Sequence, residues 1–181
     1  MNRGQQGFTL IEVVVAVAIL GIVMVPLTSA MVVGLRTSDR TASVLVSSAD
    51  RQLLAVHLTP DIESSSGPVG TDPATPTGCA GASVGTNVLH LQWREFSSAG
   101  TPPTTAVSNY SASWRVVADG SRWHLVRFAC TTGGPATETL VGRALADGSA
   151  ATASVSGATV SLTVTDHLGA QYTVSASRRT P

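Results

Sequence analysis

The sequence predicts an α+β fold: a long N-terminal helix, transmembrane over its first half, packed on an antiparallel β-sheet head. Three observations predict it. An apolar run starts at Phe8 and reaches Leu35; a stretch free of Gly and Pro carries a helical pattern on to about Leu58; and beyond a turn-rich segment, short alternating stretches recur as far as Ser177. Helix first and strands afterwards is the order of an α+β chain.

The apolar run comes first. Between Val13 and Leu35 the only polar side chains are Thr28 and Ser29, and about 20 such residues suffice to cross a bilayer. A cleavable secretory signal would have a basic start, a shorter apolar region and a small-x-small site. Here a single Arg3 precedes a longer run, so the segment reads as a span, about 8–35. Arg3 on one flank faces Arg36, Arg40 and Arg51 on the other, and the positive-inside rule leaves the orientation open.

Two residues in this run work against it. A carboxylate at the centre of a membrane helix costs about 2.5–3.5 kcal/mol, less near the interface, so Glu12 either snorkels to the headgroups or marks a function. Pro26 removes a backbone donor and clashes with the Ile22 carbonyl, at about 3 kcal/mol in a soluble helix, and Gly21 loosens the preceding turn. The pair makes either a simple kink or a joint that bends.

Past Leu35, apolar positions at Val44, Leu45, Leu53, Leu54 and Val56 fit a helix with one apolar side. Thr59 and Pro60 form an N-cap and first-turn pair, which predicts that the long helix, 8–58, stops near Leu58 and a short second helix or turn starts. Residues 59–181 then make the head. Ser64 to Thr86 is rich in Ser, Gly, Pro and Thr and reads as a surface loop carrying Cys79. Strands follow. Leu89, Leu91 and Trp93 alternate on one face; Tyr110, Ala112, Trp114 and Val116 do so on the next, and an Asp119-Gly120 turn returns the chain through Trp123 to Cys130. Glu138 to Leu145 is a shorter candidate. A last hairpin sets Val160, Leu162 and Val164 against Tyr172 and Val174.

Composition narrows the chemistry. With 181 residues there is room for one membrane helix and one domain of ordinary size. Lys+Arg 11 balances Asp+Glu 11, every cation is Arg, and charged residues are 12% of the chain, which gives no nucleic-acid footprint. Outside the cytoplasm Cys79 and Cys130 would form a disulfide; the alternative is two buried thiols. No Cys-x-x-Cys, Gly-x-Ser-x-Gly, Walker A or His-Glu-x-x-His pattern occurs, and His57, His90, His124 and His167 are scattered without metal-ligand spacing. Half-buried or solvent-facing strand and turn positions account for them. No enzyme, metal or cofactor is expected. Trp93, Trp114 and Trp123 read as core residues or as a stacking platform for sugar or single-stranded DNA, with Arg94, Arg115, Arg122 and Arg127 as a modest basic patch diluted by Glu95 and Asp119.

Met1 to Gly7 followed by Phe-Thr-Leu-Ile-Glu resembles the class III leader of type IV pilins and of the pseudopilins of type II secretion. The resemblance implies a leader of residues 1–7, cleavage by a membrane-embedded prepilin peptidase between Gly7 and Phe8, N-methylation of Phe8, and a single-pass protein of the cytoplasmic membrane with its C-terminal part outside. It implies that Glu12, one helical turn from the new amine of Phe8, selects axial register when a subunit joins others, and that Gly21 and Pro26 bend as it leaves the bilayer for an extracellular or periplasmic filament. The implied partners are other pilin or pseudopilin subunits, the prepilin peptidase, the inner-membrane assembly platform and membrane lipid. Helix, loop, a hairpin ending in His-Leu-Val-Arg and a closing hairpin around Asp-x-x-Gly also resemble the J-type minor pseudopilins and minor pilins. A second reading is an anchored module of a competence or adhesion pilus that captures DNA or a surface ligand.

Overall fold

The computed structural model describes residues 9–82, 84–99 and 104–178. One helix, α1, runs from Leu10 to Ser64. Seven strands follow: β1 (Thr86–Ala99), β2 (Thr104–Asp119), β3 (Arg122–Thr131), β4 (Thr137–Leu145), β5 (Ala151–Ser156), β6 (Thr159–Thr165) and β7 (Gln171–Ser177). The chain divides into two compact units, one up to Leu45 and one from Val46 onward.

The second unit holds two antiparallel sheets in chain order, β1-β2-β3-β4 and β5-β6-β7, where the sequence predicts one. Their apolar faces share one core with the end of α1. Leu54, Leu58 and Ile62, spaced four apart along one helix face, are fully buried with Leu89, Leu91, Trp114, Val116, Leu125 and Val141 of the first sheet. Val160, Leu162 and Val164 close the same core from the second sheet. Each such side chain stabilises the fold by about 1.5–3 kcal/mol.

The helix does not stop at Leu58 as Thr59-Pro60 suggests. Pro60 sits inside the last turns, and the hydrogen bond it forgoes is to the carbonyl of Val56, whose side chain is 65% exposed and faces solvent. Beyond it Asp61 and Ile62 are buried, so tertiary contacts hold the final turn where the local signal predicts a boundary.

The first sheet is covered on its other face as well. Residues 65–82 cross it, and a second apolar cluster of Ala82, Val126 and Phe128, with Cys79, Val117 and Ala136 against it, lies there. Polar strand residues are buried beneath this loop and bonded to its backbone. Arg115 donates through Nε and Nη2 to the Gly85 carbonyl (3.1 and 2.7 Å) and through Nη1 to that of Thr75 (3.2 Å). Asn87 Nδ2 reaches the carbonyls of Gly70 (3.3 Å) and Asp72 (3.0 Å), and Ser111 Oγ that of Thr77 (2.8 Å). Gly85 has φ of 77°, and a Cβ there would strike the Val116 carbonyl, so only glycine fits where the loop meets β2.

The β2–β3 turn residues are Gly120 and Ser121, one position beyond the expected pair, because Asp119 is already laddered to Arg122. Gly120 takes φ of 60° at the first turn position, as a type II′ hairpin requires. Gly157 repeats this between β5 and β6, where Ser156 pairs with Thr159. The outer face of the second sheet is almost all hydroxyl, with Ser161 bonded to Ser175 and Thr163 to Thr173, both at 2.8 Å.

Candidate functional site

The features that suggest a function from sequence lie in α1. Gly7 and Phe8 fall outside the described residues. Thr9 stands just before the helix, and its carbonyl accepts the amides of Glu12 (3.1 Å) and Val13 (3.3 Å). Glu12 thus sits in the first turn, where a carboxylate faces the positive end of the helix dipole. Its side chain is exposed. Ala16 and Leu20 succeed it at spacings of four on the same helix face, with Val13 and Val17 beside them, so one carboxylate heads an otherwise apolar stripe.

The apolar side chains of this stretch are bare: Ile11 is 67% exposed, Ile22 74% and Val25 70%. An 18-residue window here has a mean hydropathy of 2.8, long and apolar enough to cross a membrane.

Gly21 and Pro26 do not interrupt the helix. The Ile22 carbonyl nonetheless loses its donor at Pro26, and the turn above carries two hydroxyls turned back on the backbone: Thr28 Oγ1 to Met24 O (2.9 Å) and Ser29 Oγ to Val25 O (3.0 Å). Such bonds compete with the main-chain ladder and favour bending. Four weakening features therefore fall within nine residues, a concentration the Gly and Pro alone only half reveal.

In the second unit, three acidic residues tie the end of α1 and the last hairpin into place. Asp61, buried, accepts Arg127 Nε (2.7 Å) and Nη2 (2.6 Å) on its two oxygens, and Trp114 Nε1 (3.2 Å). Asp50 accepts the Arg143 amide (2.8 Å); burial pushes its carboxyl above the usual range against the opposing pull of Arg143. Burial acts in the same sense on Asp166, but the Ser47 hydroxyl at 2.7 Å and the amides of Ala170 and Leu168 outweigh it and hold that carboxyl low. None of these pairings is visible in sequence, since Asp61 and Arg127 are 66 positions apart.

The basic patch expected on the strands does not form, because Arg115 is buried under the loop and Arg127 is spent on Asp61. The tryptophans part company. Trp114 is fully buried, Trp123 packs against the core, and Trp93 does neither. His90 is buried, with Gln92 Nε2 3.1 Å from its Nε2, and not at the half-buried or exposed position expected. Burial and, after it, the Arg115 cation push its imidazole below the ordinary 6.5. Cys79 and Cys130 are joined in a disulfide with Cα atoms 5.7 Å apart, anchoring the loop to β3. Among the described residues no three His, Cys, Asp or Glu side chains gather as a metal site.

Residues 2–28 match the family model of the prokaryotic N-terminal methylation motif. The match takes in Gly7, Phe8, Glu12, Gly21 and Pro26. With the long apolar helix that it leads into, the motif is consistent with a type IV pilin-like protein; it suits inner-membrane anchoring and points to a structural rather than an enzymatic class. No curated protein and no solved structure matches the chain.

Proposed function

We propose that the protein is a minor pilin or pseudopilin, cleaved after Gly7 and methylated on Phe8, which joins a type IV pilus-like or type II secretion filament through its N-terminal helix. The observation that carries this is the methylation motif over residues 2–28 with Glu12 set in the first turn of an apolar helix. Cleavage would leave an ammonium on Phe8, one turn from Glu12, and an equivalent amine on a neighbouring subunit. In a low-dielectric bundle a lone carboxylate is costly, and a paired one is far less so, so only the correct axial offset between subunits satisfies it. Gly21, Pro26, Thr28 and Ser29 supply a compliant segment for the passage from bilayer to filament. The strand-rich head supports minor rather than major status. Partners are sister subunits, the prepilin peptidase, the assembly platform and membrane lipid, and the protein ends outside the cytoplasmic membrane.

Two substitutions separate the steps. In cells making the filament, Gly7→Ala is expected to leave the protein uncleaved in the membrane. Glu12→Gln is expected to be cleaved normally yet depleted at least about tenfold from sheared filaments, as about 1.4 kcal/mol of lost pairing would give. Uncleaved, membrane-retained and filament-bound fractions are read by immunoblot. Normal incorporation of Glu12→Gln contradicts the pairing role.

A further inference from the structure

Trp93 lies outside both apolar clusters of the head. It pairs across the ladder with Tyr110 of β2, and the two rings stack with centroids 5.7 Å apart and planes 10° from parallel. Both are half-buried, and neither packs against a buried cluster among the described residues. Trp93 Nε1 donates to Glu95 Oε1 at 3.2 Å, which fixes the indole in its plane. The chain leaving α1 passes alongside, the amides of Ser66 and Gly67 donating to the Gln92 carbonyl at 3.2 and 3.0 Å. Between this segment and the stacked pair opens a groove of about 520 Å³, whose rim adds Ser66, Arg94, Asn109 and Thr132 to the two rings.

We propose that this groove binds a neutral glycan, one pyranose ring stacking its C–H face on the Trp93–Tyr110 pair while the surrounding hydroxyl, amide and guanidinium groups bond its hydroxyls. The volume is that of a small-ligand site, and a flat apolar surface ringed by a few polar groups is how such sites orient a ligand. The negatively charged face of an aromatic ring attracts the polarised C–H groups of a sugar. A stack this rigid also suits a nucleobase, but a strand of nucleic acid brings a phosphate with every base. Arg94 is the one cation lining the groove among the described residues, and the Glu95 carboxylate stands beside Trp93 to offset it. The charge balance therefore favours an uncharged ligand. All of these residues lie in the second unit, so the inference stands apart from the filament reading.

The test uses the full chain in a detergent without a sugar headgroup, titrated calorimetrically with cellotetraose, chitotetraose, maltotetraose and a twelve-residue oligothymidylate. At least one tetrasaccharide is expected to bind with a dissociation constant of about 1 mM or tighter. Its affinity should change less than about twofold between low and high salt, because no counterions are released. Trp93→Ala and Tyr110→Ala should each weaken binding at least about tenfold, whereas Trp93→Phe, which keeps a ring on the strand, should retain it within about threefold. Circular dichroism of each variant establishes that the fold is intact; if Trp93→Ala unfolds the head, Tyr110→Ala and Trp93→Phe decide. Failure of all three tetrasaccharides to bind, salt-dependent binding of the oligothymidylate alone, or sugar binding indifferent to Trp93 and Tyr110 overturns the proposal.

Discussion

Asp61 is where one side chain decides most about the packing of α1 on the head. It is buried, holds both nitrogens of the Arg127 fork and also the Trp114 indole, so neutralising it strands a partly buried guanidinium and an indole donor at once. Breaking a buried pair from one side costs about 3 kcal/mol or more, whereas replacing both partners by apolar residues is often close to neutral. Asp61→Ala is therefore expected to lower urea stability by about 3 kcal/mol, and Asp61→Leu with Arg127→Met by much less, read from fluorescence of the neighbouring Trp114. Equal losses in the single and double variants would show that shape, not charge, matters there. His90 gives the head a pH response. Because its folded value lies below 6.5, the unfolded chain binds the extra proton first as pH falls, so its contribution is fully present above 6.5 and is lost as pH drops through the folded value. The difference in stability between wild type and His90→Asn should shrink as pH falls below 6.5; a difference that is flat with pH refutes it. The role proposed for Glu12 is local, resting on Gly7 and Phe8 a few positions away. Asp61 and His90 were not legible in the sequence, because burial and partners come from segments far along the chain.

At the scale of elements, the loop of residues 65–85 is held by side chains of the strands it covers and by the Cys79–Cys130 bond across a separation of 51 residues. Closing such a loop removes about 4 kcal/mol of unfolded-state entropy. Replacing both cysteines by alanine should lower stability by up to about that amount, and limited proteolysis should then cut first between Ser65 and Gly85. Unchanged melting and an uncut loop would mean that the hydrogen bonds of Arg115, Asn87 and Ser111 alone suffice. Alternation found β1, β2, β3 and the last hairpin, since those strands carry large apolar residues on the core face. It passed over β5, whose Ala-Thr-Ala-Ser-Val-Ser offers only small residues to the core; pairing with β6, not its own composition, makes it a strand. It also left Ser111 and Arg115 on the face away from Trp114 and Val116, with Arg115 read into a basic patch, because nothing in a strand's period tells whether a loop will fold over it. Pro60 misled in the same way: the lost bond points to solvent and the residues after it are claimed by the core.

For the molecule as a whole, identity and architecture come from different parts of the sequence. Residues 2–28 carry the methylation motif, and the proposed processing rests on them without reference to the head. The head is built by long-range pairing of strands in chain order, with the acidic residues of α1 fixing its last turns to them. In the proposed function the prepilin peptidase cuts after Gly7 and the new amine on Phe8 is the partner of Glu12. Intact mass and N-terminal sequencing of the protein from cells with an active prepilin peptidase test this most directly. A chain beginning at N-methylated Phe8 is the expected result, and a mature chain that still begins at Met1 would contradict the account.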